Sequence, residues 1–256
     1  AATLCKMAYE FSSEKRIEAN LDSRSKQELS LRLIETKLEF LIERDRFSDA
    51  GELLLEATAI FESDNSAKIK ARAICGILLE KLAQTNSPKA RDLISKLPNW
   101  IFEYSSVQFA MGKLFTNLGE INEAERRFER SANLNPDNPE IYLSLASLLA
   151  EKDPQKAFEH YRTFFSKKSD PSSAKTFVKK IKKIFSQSPE AINLKPIKIA
   201  IIGNVTLQTF RPFLEAQCIL AGAQIEFFFG GYDVFAQEIV DPNSELYKFD
   251  PKITFL

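Results

Sequence analysis

The chain is poor in the residues that form cross-links, metal sites and catalytic bases. Its 256 residues include one His, one Trp and three Cys; the cysteines form no CxxC pair and leave an odd thiol: Cys5, Cys75 and Cys218. This pattern argues against a disulfide framework and favours a reducing compartment, so we expect a cytoplasmic protein. Metal binding has no ligand cluster to support it, and we expect no cofactor to be held by these residues. No apolar run approaches the roughly 18 residues that a membrane-spanning helix needs.

A net charge is also lacking, since 35 basic and 35 acidic side chains cancel. Zero net charge excludes a globally basic nucleic-acid binder, and we expect no nucleic acid among the partners. The zero net charge is a sum over three regions of different charge. Residues 160–195 carry nine basic and two acidic side chains, and both flanking regions are acidic. Glycine is scarce too, and four of the eight glycines lie in the last 54 positions. Because glycine destabilises helices, we predict that the first 190 or so residues are helical and that the remainder contains tight turns.

The helical region contains a repeat, whose clearest unit is residues 105–138. Small side chains would let its two helices cross closely, aromatic side chains would fill the space beside the crossing, and a proline would stop the second helix: Gly112 and Ala124, Phe115 and Phe128, and Pro136. These positions resemble the tetratricopeptide repeat, except that Gln108 stands where that repeat prefers an aromatic residue.

A second unit, residues 139–171, follows the same pattern: Tyr142, Ala146, Ala157 and Tyr161. Weaker units precede these two around Ala50 and Ala90. The resemblance implies a helical repeat domain over residues 1–190 that binds a protein or peptide on its concave face. The sequence leaves a second interpretation open, in which the array only stabilises or spaces the domain that follows it.

A basic segment at residues 174–185 is predicted to form an amphipathic helix. Its apolar positions lie on one side at helical spacing, and its lysines lie largely on the other: Lys175, Lys179, Lys180, Lys182 and Lys183. We favour a helix that caps the last repeat, because terminal repeats need a polar outer face. The alternative is a contact with a membrane surface or a nucleic acid.

The last sixty residues, 196–256, have the pattern of a different domain, which a polar linker at 186–195 precedes. Apolar runs and turn residues predict three strands and three helices: strands at 197–202, 224–229 and 252–256, and helices at 210–221, 234–239 and 244–247. This alternation is typical of a parallel α/β sheet. The predicted fold class is therefore α plus α/β, an all-helical solenoid followed by an incomplete α/β module. Since three strands do not complete such a domain, we expect it to continue beyond Leu256.

Ligands of open α/β sheets bind at the carboxyl ends of the strands, where two turns are predicted here. The candidate substrate-binding residues are those of the two turns: Gly203, Asn204, Thr206 and Tyr232. Neither GxGxxG nor a P-loop occurs, so nucleotide binding is disfavoured. No catalytic residue is assigned, because His160 belongs to the helical array and Cys218 is predicted to be a core thiol.

The α/β segment resembles the amino-terminal module of FkbH-like proteins of the haloacid-dehalogenase superfamily. The matching residues are Gly203-Asn204 with Thr206 and a second set near the end of the chain: Gln237-Glu238-Ile239, Asp241-Pro242, Ser244, Leu246-Tyr247, Phe249 and Pro251. That module is similar to an SGNH-hydrolase sheet, which is flavodoxin-like in architecture. The SGNH nucleophile block reads Gly203-Asn204-Val205 here and holds no serine.

The resemblance further implies a following domain with an Asp-x-Asp-x-Thr motif, which uses Mg²⁺ to transfer a phosphoryl, glyceryl or acyl group. The acceptor would be a carrier protein, and the repeat array would bind either a carrier protein, such as an acyl carrier protein, or a partner enzyme. The motif does not occur in these 256 residues. Two other functions stay open at this point: a non-catalytic scaffold, and a glycosyltransferase linked to a repeat array.

Overall fold

The computed structural model describes residues 23–62, 65–84, 89–203, 208–231 and 234–256. These residues are mostly helical and include one small parallel three-stranded sheet, which confirms the α plus α/β class in its coarse form. They divide into two compact units, one ending at Pro136 and the other spanning Asp137–Leu256. The predicted boundary at 190–196 lies inside the second unit, and the domain assignment stays a prediction.

The first unit is helical throughout its described residues. A short 3₁₀ helix, Asn99–Glu103, separates the fourth and fifth of its helices, which are α1 Ser23–Glu43, α2 Phe47–Glu62, α3 Asn65–Gln84, α4 Lys89–Lys96, α5 Ser105–Asn117 and α6 Ile121–Leu134. Helices α5 and α6 correspond to the two helices predicted for the unit at 105–138. The predicted helix pair is therefore confirmed, whereas a tetratricopeptide solenoid stays a prediction.

Three helices open the second unit: α7 Pro139–Leu149, α8 Pro154–Lys167 and α9 Pro171–Gln187. Each begins with a proline that follows an Asn or Asp residue, and the Asx side chain accepts a hydrogen bond from a backbone N–H of the first turn: Asn138, Asp153 and Asp170. Proline suits this position because its missing N–H would have no partner in the first turn. These local signals fix where the three helices start.

The α/β part follows in the order β1 Lys195–Ile201, α10 Arg211–Leu220, β2 Ala223–Phe229, α11 Phe235–Val240, α12 Glu245–Phe249 and β3 Ile253–Phe255. The strands are all parallel and lie in the order β2-β1-β3. Gly222 follows α10 with a φ of 82°, which makes glycine the favoured residue at this turn. The predicted strands and helices of this region are thus confirmed with small changes at their ends.

One apolar cluster joins the helices of the second unit to α10. The rings of Phe165 in α8 and Phe177 in α9 are stacked, with centroids 5.1 Å apart, and Ala216 and Ile219 of α10 belong to the same cluster. Ile192 is 3% exposed and packs there as well. The segment predicted to be a polar linker is therefore packed against these helices, because its apolar residues complete their core.

Candidate functional site

The close crossing predicted for the first repeat unit is present between α5 and α6. A Cβ atom added to Gly112 would lie 2.5 Å from ring carbons of Phe128, so only glycine lets the two helices approach this closely. Ala124 and Phe128 are buried, and Phe115 is 8% exposed. Pro136 comes after the end of α6 at Leu134 and is exposed. Apart from Pro136, these residues pack the two helices against each other, and none of them carries a titratable or nucleophilic side chain.

Polar contacts of α5 with the preceding 3₁₀ helix and with α6 explain the departure at position 108. Gln108 is 3% exposed, and its Nε2 donates a hydrogen bond of 2.6 Å to the carbonyl oxygen of Phe102. Its Oε1 accepts a longer bond of 3.4 Å from Nη1 of Arg127. A buried amide with these partners avoids the free-energy cost of unsatisfied polar atoms. Gln108 therefore serves the fold in place of an aromatic ring.

The residues predicted for the second unit pack α7 against α8. Ala146, Ala157 and Tyr161 are buried, and the Tyr161 hydroxyl lies 3.2 Å from Oγ of Ser147. Burial raises the pKa of Tyr161. Tyr142 is only partly buried, and its ring centroid lies 6.4 Å from that of His160. The single histidine thus lies in α8 beside an aromatic ring of α7, and it precedes the first strand by more than thirty residues.

An exposed apolar row on α3 is the most prominent candidate for binding a partner in the first unit. Ile69 and Ile77 are 54% and 51% exposed, and the exposed Ala73 lies between them at a spacing of four residues. Ion pairs link α3 to helices on both sides: Lys70 with Glu35 of α1 at 3.0 Å, and Glu80 with Lys113 of α5 at 2.6 Å. The row therefore lies on the surface that α1, α3 and α5 share.

The carboxyl ends of the three strands meet, as predicted, at one edge of the sheet. The amide of Ile202 donates to the carbonyl oxygen of Phe255 at 3.0 Å, and the amide of Gly230 donates to that of Ile201 at 3.0 Å. A Cβ atom on Gly230 would lie 2.7 Å from Cγ2 of Ile202, so a side chain would be obstructed there. A Cβ atom on Gly203, by contrast, would meet open space.

Of the candidate substrate-binding residues, Gly203 is placed by the structure directly after β1, where it is partly buried. Asn204, Thr206 and Tyr232 lie outside the described residues. The prediction that these four residues form one site therefore stays a prediction. What the structure does show is that the two turns start from neighbouring strands, at the same edge of the sheet.

The second set of matching residues builds a corner between α11 and α12. Oε2 of Glu238 accepts a hydrogen bond from the amide of Leu246 at 3.1 Å, in the first turn of α12. The Ser244 hydroxyl donates to the carbonyl oxygen of Glu238 at 2.7 Å, and the Tyr247 hydroxyl donates to that of Ile239 at 2.9 Å. These contacts give the matching residues a structural role, because they satisfy backbone groups at the ends of two short helices.

Both described thiols have a raised pKa. Burial raises the pKa of the Cys75 thiol to about 12. Burial and the nearby Glu215 carboxylate raise the pKa of Cys218. Since the thiolate is the nucleophilic form, neither group is set up for covalent catalysis. Among the described residues, no group of three or more His, Cys, Asp or Glu side chains is placed to hold a metal ion.

An ion pair that was not predicted from the sequence links α9 to α10. Glu215 is 5% exposed, and its Oε1 lies 2.6 Å from Nζ of Lys182. A signal for it was present, because Glu215 precedes Ile219 by one helical turn and so shares the apolar side of α10. A buried carboxylate requires a partner, and the basic helix supplies it.

Neither a protein-family model nor a curated protein matches this chain. No helix in the described ranges is long and apolar enough to cross a membrane. The resemblances to tetratricopeptide repeats and to FkbH-like proteins therefore remain hypotheses, and the function below is argued from them together with the geometry.

Proposed function

We propose that this chain is the amino-terminal part of a cytoplasmic biosynthetic enzyme similar to FkbH-like proteins, in which the helical repeats bind a partner protein. The observation that carries the proposal is the parallel sheet in the order β2-β1-β3. In this order β2 and β3 lie on opposite sides of β1, and such a reversal of strand order is where open α/β sheets form a crevice at the carboxyl ends of the strands. The resemblance implies a parallel α/β sheet in the FkbH-like amino-terminal module, and Gly203, Asn204, Thr206 and Tyr232 would bind substrate at this crevice.

The transfer chemistry would belong to the domain that the resemblance implies after Leu256. The residues of this chain do not fit the Mg²⁺ site of that domain: the Asp-x-Asp-x-Thr motif does not occur in the sequence, and the described part gathers no set of metal-ligating side chains. We therefore derive no step through the metal. The role of the present residues is to bind and position the partner and the substrate.

The exposed row of Ile69, Ala73 and Ile77 supports the interaction half of the proposal. Two isoleucines that are half exposed cost free energy in water, at about 25 cal/mol for each Å² of apolar surface. A partner that covers the row recovers this free energy, and the ion pairs on both flanks leave the row itself apolar. We place the carrier protein on this surface of α1, α3 and α5.

The enzymatic half is tested on the coding sequence that follows Leu256 and on the protein that it encodes. We expect an Asp-x-Asp-x-Thr motif in the next domain, and Mg²⁺-dependent transfer from a phosphorylated three-carbon donor to the thiol of a carrier protein. A reading frame without the motif would overturn this half of the proposal, and so would a longer protein that transfers nothing and releases no phosphate. Neither result would contradict the proposed binding of a partner protein.

The interaction half is tested with the variant Ile69→Ser/Ile77→Ser and isothermal titration with an acyl carrier protein from the same organism. We expect the variant to bind about tenfold more weakly or worse, because two apolar anchors are lost. The matched control is Ile60→Ser/Leu134→Ser, which changes two hydrophobic residues that are 36% and 38% exposed outside the row. Equal losses in both variants would contradict the assignment of this surface.

A further inference from the structure

Helix α9 carries a row of exposed lysines on the side opposite its core. Lys175, Lys179 and Lys183 follow one another at intervals of four residues, and all three are exposed. The other side of the helix is buried in the cluster that α8 and α10 share, through Phe177, Val178, Ile181 and Ile184. The row spans about 12 Å, at 1.5 Å per residue. Helix α9 thus seals the core with one face, as a cap does, and leaves the basic face uncovered.

The basic row is not explained by the stability of the unit. Like charges four residues apart on one face of a helix repel each other and destabilise the helix. Other exposed faces of the described helices balance their charges: Glu159 lies 3.2 Å from Arg162 within α8, and Lys168 lies 3.1 Å from Glu140 of α7. Among the residues of known position, Lys182 alone of the lysines of α9 has such a partner, Glu215.

The three lysines of the row have no carboxylate within 4 Å among the residues that the structure describes. Within the described ranges their charge is therefore uncompensated, and an anionic partner would relieve the repulsion between them. The local concentration of positive charge, and not the net charge of the protein, would attract such a partner, because the net charge of the whole chain is zero.

The kind of anion follows from what surrounds the row. Membrane insertion would need an apolar face, but the apolar face of α9 is already buried against α8 and α10. Sites for single-stranded nucleic acid combine basic residues with aromatic side chains on which the bases stack, whereas the exposed positions from Lys175 to Lys183 offer lysine alone. A straight row with a spacing of four residues matches carboxylates at the same spacing on another helix. We propose that the row of Lys175, Lys179 and Lys183 binds an acidic helix of a partner protein.

This inference does not require the enzymatic half of the proposed function, and it concerns a surface other than the apolar row on α3. Its test uses the whole chain and a designed helical peptide with glutamates at positions i, i+4 and i+8 on one face. The control peptide has the same composition, with the glutamates spread around the helix. Binding is measured by fluorescence anisotropy at 0.05 and 0.15 M salt.

We expect the aligned peptide to bind in a salt-dependent manner and more tightly than the control peptide. The variant Lys175→Gln/Lys179→Gln/Lys183→Gln should bind it about tenfold more weakly, since three exposed ion pairs are lost. The charge-matched variant Lys37→Gln/Lys195→Gln/Lys252→Gln removes three exposed lysines elsewhere and should bind as the unchanged protein does. Thermal melts of both variants establish that they are folded.

Three outcomes would overturn the inference. The two peptides could bind equally, which would mean that only net charge matters. The two variants could lose affinity equally, which would place the contact elsewhere. A 20-base-pair DNA duplex, or vesicles of phosphatidylcholine with one quarter phosphatidylserine, could bind more tightly than the aligned peptide, which would assign the row to nucleic acid or to a membrane.

Discussion

Nζ of Lys182 lies 2.6 Å from Oε1 of Glu215, and this pair ties the basic helix α9 to helix α10 of the α/β part. The two partners differ in environment, because the Glu215 side chain is 6% exposed whereas that of Lys182 is 57% exposed. Removing the lysine would leave a carboxylate inside the protein without its counter-charge. Removing the carboxylate would leave a lysine that water can solvate.

This asymmetry predicts that Lys182→Met destabilises the protein more than Glu215→Gln does. We expect a loss of about 1–2 kcal/mol for Lys182→Met, less than for a fully buried pair because water reaches the lysine side. Urea unfolding followed by circular dichroism measures it. The control is Lys183→Met, which changes an exposed neighbour and should leave the free energy of unfolding within about 0.5 kcal/mol. Equal effects at positions 182 and 183 would show that the pair contributes nothing.

The crossing of α5 and α6 predicts opposite effects of the same substitution at two glycines. In Gly112→Ala the new methyl group would meet the Phe128 ring, and we expect a net loss of about 1–2 kcal/mol despite the better helix propensity of alanine. In Gly51→Ala the methyl group would lie 3.5 Å from Leu93, an ordinary contact, and alanine should stabilise α2 by about 0.5–1 kcal/mol. Thermal and urea unfolding of the two variants give the comparison; a stabilised Gly112→Ala would contradict the close crossing.

The cap of α9 predicts a pH-dependent contribution to stability. Hydrogen bonds from the amide and the hydroxyl of Ser173 hold the pKa of Asp170 below its usual range. The carboxylate therefore stabilises the folded state fully above the pKa it has in the unfolded chain, about 3.9, and this contribution is lost as the pH falls through the lower pKa of the folded state.

We expect Asp170→Ala to lower the urea midpoint at pH 7 and to have little effect below the folded pKa. Asp170→Asn keeps an acceptor for the Ser173 amide without the charge, so part of the cap should persist while the pH dependence disappears. A difference between unchanged protein and Asp170→Ala that stays constant from pH 7 to pH 2 would be inconsistent with this account.

The raised thiol pKa values predict how the cysteines react in the folded protein. Cys75 is buried and its pKa is about 12, so the thiolate is almost absent at pH 8. Iodoacetamide should label Cys218, which is partly exposed, faster than Cys75, and 6 M urea should remove the difference. Peptide mass spectrometry of timed samples measures both rates. Rapid native labelling of Cys75 would show that α3 is less buried than described here.

Local signals in the sequence were enough to predict the elements of the α/β part and the basic helix before it. The strand predicted at 197–202 is observed as Lys195–Ile201. A short apolar run between turn residues is typical of a buried strand and is too short for most helices. The helix at 174–185 begins three residues earlier, at Pro171, where Asp170 supplies a cap. The prediction started from the apolar pattern and did not use this capping signal.

Contacts between distant residues were less accessible to prediction. Ile192 lies in a polar segment, and its burial depends on the space that α9 and α10 leave open for it. The partner of Lys182 is more than thirty residues away along the chain, and neither residue by itself indicates the other. The candidate substrate site lies in loops. The positions of side chains in loops do not follow the hydrophobic periodicity that predicts helices and strands, so the sequence did not predict the geometry of this site.

The three Asx-Pro helix starts also have a consequence for the order in which the second unit folds. Helices α7, α8 and α9 are delimited by contacts within a few residues, and such contacts form early because they close short loops. The sheet instead pairs Lys195 with Ala223 and Ile199 with Ile253, so its strands meet only after long segments have been brought together. We therefore expect helices α7, α8 and α9 to form before the sheet does. Their packed surface would then support assembly of the sheet, and Glu215 would become buried beside Lys182 late in folding.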